Sequence, residues 1–170
     1  MQNTLKILVA EDEEDLLETY KMVFDSKNYQ TILTKNGQEC IEMYKKELQK
    51  INDSSITPFD VVILDHKMPK KNGFDVAKEI LEISPCQRIV FASAFAKDIL
   101  EQSINEQNLG VELLQKPFDL DSLIDKIEDK EIYSRLQEFG IGKMQPKKIQ
   151  HDNLLRLKSM LDNIEQQYLH

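Results

Sequence analysis

Short apolar runs alternate along this chain with longer stretches in which apolar residues recur every three or four positions. The runs at 5–10, 29–34, 59–64, 88 to 91 or 93, and 111–114 predict strands, because they are brief, rich in Val, Ile and Leu, and bounded by turn residues. The stretches at 14–24, 39–51, 74–83, 97–107 and 120 to about 136 predict helices. In the first of them Leu16, Leu17, Tyr20, Val23 and Phe24 form one apolar stripe. Gly140-Ile141-Gly142 and Pro146 then break the alternation. One more helix is expected over 149–168, where Leu154, Leu157, Leu161, Ile164 and Tyr168 are spaced 3, 4, 3 and 4.

Strands and helices that alternate so regularly place the chain in the α/β class, with a parallel sheet covered on both faces. Right-handed crossovers leave few topologies. The common one at this size is a doubly wound five-stranded sheet of flavodoxin-like order 2-1-3-4-5, here with an extra C-terminal helix. The domain is read as 1–130 and the helical extension as 131–170.

Composition narrows the partners. Hydrophobic residues make up 41% of the 170, enough for a core, and 31% are charged. The net charge is −8, all of it carried before residue 131, the last forty residues being close to neutral. So acidic a body argues against wrapping nucleic acid and against anionic membrane surfaces. The chain enters its first strand almost at once, which leaves no room for a signal peptide, and no apolar run approaches a membrane span. A cytoplasmic location is expected. Cys40 and Cys86 lack metal-site spacing and read as free buried thiols of a reducing compartment.

The chemistry lies where the strands end. Four apolar residues, Val61 to Leu64, run into Asp65, and Pro69 and Gly73 prevent anything regular from following at once. The first strand ends in Glu11-Asp12-Glu13, the fourth near Ser93, and the fifth in Lys116-Pro117. In a parallel sheet these ends share the C-terminal edge, where ligands bind, and the first and third strands are neighbours. Glu11, Asp12 and Asp65 should therefore converge, and carboxylates so placed repel unless a cation sits among them. Mg²⁺, a hard ion that takes oxygen ligands, suits them; no His or Cys set suggests zinc. With a hydroxyl from Ser93 and an ammonium from Lys116, the edge offers what a phosphoryl group needs as it arrives on a carboxylate. His66 is read as a bystander with its ring toward solvent, and Lys70 and Lys71 as a solvated pair.

These motifs resemble those of the receiver domains of two-component response regulators, over about residues 4–130. The family's acidic pair after the first strand looks like Glu11 and Asp12. Its Asp-x-x-Met-Pro-x-x-x-Gly motif is matched in full from Asp65 through Met68 and Pro69 to Gly73. Ser93-Ala94 and Lys116-Pro117-Phe118 look like its remaining motifs; in the family the peptide before that proline is often cis. The resemblance implies a stand-alone, chemotaxis-regulator-like protein in which Asp65 takes a phosphoryl group from a sensor histidine kinase or phosphotransfer protein. Ser93 and Lys116 would assist, and Mg²⁺ would be held by Glu11, Asp12, Asp65 and the carbonyl of Lys67. The protein would be a phosphoacceptor that hydrolyses its own acyl phosphate rather than a conventional metabolic enzyme. One position departs from the family: Leu113 stands where an aromatic ring often serves as the conformational switch.

Other classes fit less well. A haloacid-dehalogenase-type Mg²⁺ phosphatase usually has a second aspartate where Lys67 stands, and an FMN carrier would have its phosphate repelled by Glu11-Asp12-Glu13. A receiver-like interaction module that never takes phosphate is the alternative that sequence leaves open. The C-terminal helix, with Leu155 and Met160 widening its apolar face, has three uses: docking on its own domain, pairing with a second copy, or binding a downstream protein.

Overall fold

The computed structural model describes residues 4–54, 56–94 and 111–129, together with Arg156, Ser159, Met160 and Asn163. The apolar runs form five strands: β1 (Lys6–Ala10), β2 (Gln30–Thr34), β3 (Val61–Leu64), β4 (Ile89–Ser93) and β5 (Glu112–Gln115). All pair in parallel, in the order β2-β1-β3-β4-β5. The helices described between and after them are α1 (Glu14–Ser26), α2 (Gly37–Leu48), α3 (Gly73–Ile83) and α4 (Leu120–Ile127). The helix expected over 97–107 lies outside the described residues, as does most of 131–170.

Contacts divide the chain into a unit spanning Thr4–Phe118, which holds the sheet and α1 to α3, and a second unit that contains α4. In the first unit the central strands β1, β3 and β4 are buried almost throughout, and the edge strands β2 and β5 only in part. One core layer joins Leu8, Val62, Leu64 and Phe91 of the sheet to Ile41 and Tyr44 of α2 and Val76 and Ile80 of α3. Burying side chains of this size stabilises by about 1.5–3 kcal/mol each, which is what holds the strand ends in register. Leu113 packs against this layer from β5, opposite Phe91.

Helix starts follow local chemistry. Asn36 accepts a hydrogen bond from the Glu39 N–H at 3.0 Å, so α2 begins at Gly37, earlier than its apolar periodicity indicates. Asn72 caps α3 in the same way through Asp75. In the second unit Asp119 caps α4 by accepting from the Ser122 N–H at 2.7 Å, and Leu123, Ile124 and Ile127 are buried. That helix ends at Ile127 rather than near 136, with Asp129 turned into the left-handed region at φ 55°. Arg156, Ser159, Met160 and Asn163 are helical and exposed. The seam residues Leu154, Leu157, Leu161, Ile164 and Tyr168, and Leu155, lie outside the described residues. Cys40 is buried, but Cys86 is exposed, because it sits in the surface turn between α3 and β4.

Candidate functional site

Register brings the acidic residues together. Ala10 of β1 pairs with Leu64 of β3, so the next residues, Glu11 and Asp65, emerge side by side where the ladder stops. The Asp65 N–H donates to the Ala10 carbonyl at 3.0 Å, and the Glu11 N–H to that of Thr34 at 3.1 Å. Asp12 follows Glu11 just before α1. One carboxylate oxygen from each of Glu11, Asp12 and Asp65 lies within 4.8 Å of the others, as a cation site requires. Glu11 is buried, Asp65 half-buried and Asp12 exposed, so the cluster opens outward through Asp12. The donors are all oxygen, which fits Mg²⁺ with waters completing its shell.

The cation present is Lys116. Ser93 of β4 pairs with Gln115 of β5, and the Lys116 N–H donates to the Ser93 carbonyl at 2.8 Å. The peptide from Lys116 to Pro117 is cis. The Lys116 ammonium lies 2.7 Å from Oε2 of Glu11 and 3.7 Å from Oδ1 of Asp65. Ser93 is buried at the end of β4. Burial pushes the carboxyl groups of Glu11 and Asp65 above their ordinary range, and Lys116 pulls both back.

The loop after Asp65 is fixed by close packing. The Gly73 N–H donates to the His66 carbonyl at 2.9 Å, and a Cβ on Gly73 would stand 2.2 Å from the Asp65 carbonyl oxygen. Gly73 is thus required by the approach of α3 to the backbone of Asp65, a reason the motif alone does not disclose. Lys67 is exposed in this loop. His66 departs from its expected exposure: its ring is half-buried, edge-on to Phe74 at 4.7 Å, and burial lowers its pKa. Lys71 also departs, because its ammonium pairs with Glu79, which also holds Lys45, while Lys70 is exposed. The sequence pattern gave Tyr20 only a packing role. Its ring is fully buried, yet its hydroxyl has no hydrogen-bond partner among the described residues. The available signal was a polar tip within an otherwise apolar stripe.

A family model, response regulator receiver domain, matches residues 7–128. The response regulator receiver protein CpdR of Brucella abortus is 28% identical over 123 residues, covering 72% of this chain and 93% of that protein. The sporulation initiation phosphotransferase F of Bacillus subtilis is 27% identical over 125 residues, covering 72% of this chain and 90% of that protein. Among solved structures, the response regulator protein TrrA of Thermotoga maritima, in complex with Mg²⁺ and beryllium fluoride, superposes with a TM-score of 0.58. It is 25% identical, and the match covers 74% of this chain and 98% of that one.

Proposed function

The chain belongs to the response regulator receiver domain family, and we propose that it takes a phosphoryl group from a phosphohistidine donor onto Asp65 and signals through protein contacts. The observation that carries this is the convergence of Glu11, Asp12 and Asp65 within 4.8 Å, with the Lys116 ammonium 3.7 Å from Asp65. A carboxylate oxygen of Asp65 attacks phosphorus as the P–N bond of the donor's phosphohistidine breaks. The imidazole departs with the bonding electrons. Lys116 turns from Glu11 toward the new phosphoryl oxygens and offsets their charge, and the Ser93 hydroxyl donates to one of them. Glu11, Asp12, Asp65 and the Lys67 carbonyl would hold Mg²⁺, which would supply further charge neutralisation. Water later attacks phosphorus, the P–O bond to Asp65 breaks, and inorganic phosphate leaves as the Asp65 carboxylate is restored. That TrrA is held with Mg²⁺ and beryllium fluoride supports this reading.

The receiver is taken as residues 1–130 and the helical extension as 131–170, in keeping with a family match that ends at residue 128. The donor is a cognate histidine kinase or phosphotransfer protein. Among the described residues no helix is long and apolar enough to cross a membrane, and we place the protein in the cytoplasm. The net charge of −8 favours a protein target over nucleic acid. The C-terminal helix would dock on its own domain, pair two copies of the chain or bind a downstream protein. Sedimentation of the full chain as a dimer, and of a chain ending at Asp129 as a monomer, would support this pairing; two monomers would refute it.

Intact mass after incubation with acetyl phosphate and Mg²⁺ tests the central step. One labile phosphate is expected, lost in Asp65→Asn and in EDTA. An unmodified mass, under conditions that label another receiver, would favour an interaction module that never takes phosphate.

A further inference from the structure

The loop between Asp65 and α3 contains a strained turn. Lys70 sits at φ 66°, in the left-handed region that residues other than glycine rarely enter. The Lys71 N–H closes the turn by donating to the Pro69 carbonyl at 2.8 Å. Backbone of this kind persists only where its surroundings hold it. Those surroundings meet at Lys71. Its carbonyl oxygen lies against the start of α2, 2.2 Å from where a Cβ on Gly37 would stand. Its ammonium pairs with Glu79, in the middle of α3.

Glu79 also pairs with Lys45 of α2 at 2.7 Å, so one carboxylate gathers two lysines from different segments. Together they hold it below the ordinary carboxylate range, Lys45 first and Lys71 next, which keeps it charged. The two pairs differ in setting. Lys71 is 27% exposed and sits in the loop itself, whereas Lys45 is 49% exposed and belongs to a helix capped by Asn36. Of the two, Lys71 constrains the loop directly. Upstream in the same loop stands Lys67, whose carbonyl would complete the Mg²⁺ shell.

We propose that Lys71 is a positioning residue for the Mg²⁺ site: its clasp on Glu79 holds the turn at Lys70, and with it the stretch that presents the Lys67 carbonyl. The proposal rests on the reading that Glu11, Asp12, Asp65 and that carbonyl form the metal site.

Lys71→Met tests it, because charge and positioning act in opposite directions. Removing a cation from a chain of net charge −8 should by charge alone tighten Mg²⁺ binding. Loss of the clasp should weaken it, about threefold for a partly exposed ion pair. Calorimetric titration of the full chain with Mg²⁺ at fixed ionic strength reads the sign. Lys71→Arg, which keeps the pair, should match wild type. Lys45→Met removes a cation from the same carboxylate but not from the loop, and should bind Mg²⁺ at least as tightly as wild type. Binding by Lys71→Met as tight as wild type or tighter would overturn the proposal. So would equal weakening in Lys45→Met, which would mark a general loosening of α2 against α3. Asp12→Ala separates the two readings: if it weakens Mg²⁺ binding while Lys71→Met does not, only the role of Lys71 fails. If Asp12→Ala binds as wild type does, the metal site itself is misplaced and both fail.

Discussion

Lys116→Met keeps most of the aliphatic stem and removes the ammonium that lies 2.7 Å from Glu11 and 3.7 Å from Asp65. Glu11 is then left 1% exposed without that cation. Deleting one partner of a buried pair costs about 3–5 kcal/mol when the orphan stays charged. Glu11 can instead take up a proton. Burial already raises its carboxyl above the ordinary 4.5, and without the lysine it rises further. Protonation limits the charge penalty to about 1.4 kcal/mol for each pH unit above the unfolded value. An acid whose folded pKa is raised binds its proton more tightly folded than unfolded. The deficit should therefore be absent below the ordinary 4.5, grow as pH rises, and level off above the folded pKa. Its expected size is under ~1 kcal/mol near pH 5 and ~3 kcal/mol near pH 8. Urea unfolding of wild type and variant in EDTA at both pH values reads this directly. A deficit of equal size at the two would refute the argument, because lost packing does not titrate.

Two further substitutions probe the site. Asp12→Ala removes one of three repelling carboxylates, so it should lower Mg²⁺ affinity about tenfold or more while raising the unfolding midpoint in EDTA; titration with Mg²⁺ and a thermal melt check both, and unchanged affinity would remove Asp12 from the metal site. Gly73→Ala sets a Cβ where only 2.2 Å separates it from the Asp65 carbonyl oxygen. It should cost about 2–3 kcal/mol in urea unfolding and slow labelling by acetyl phosphate, whereas wild-type stability would show that the loop yields freely.

The sheet was legible because its strands are short, apolar and separated by amphipathic helices, and because right-handed crossovers admit few orders. The convergence of Glu11, Asp12 and Asp65 was legible for a related reason: Glu11 and Asp65 directly follow the apolar runs of neighbouring strands, so that knowing the strands meant knowing the edge. What escaped was set by packing between distant segments. The half-buried ring of His66 depends on Phe74, and the pairing of Lys71 on Glu79, neither of which adjoins it in the chain. Cys86 was taken for a core thiol because a turn at the surface leaves no hydrophobic period to reveal it. The early start of α2 comes from a cap at Asn36, which acts before the apolar period begins. Tyr20 looked like a packing residue because periodicity registers a ring and is blind to the hydroxyl at its tip.

The claim that Asp65 is the phosphoacceptor is tested most directly by chemical trapping. An acyl phosphate is reduced by borohydride to an alcohol, which converts the modified aspartate to homoserine. After labelling with acetyl phosphate and Mg²⁺, reduction and peptide mapping should place homoserine at position 65 and leave Glu11 and Asp12 unchanged. Homoserine at another aspartate, or phosphate that survives reduction on a hydroxyl or imidazole while Asp65 stays intact, would contradict it.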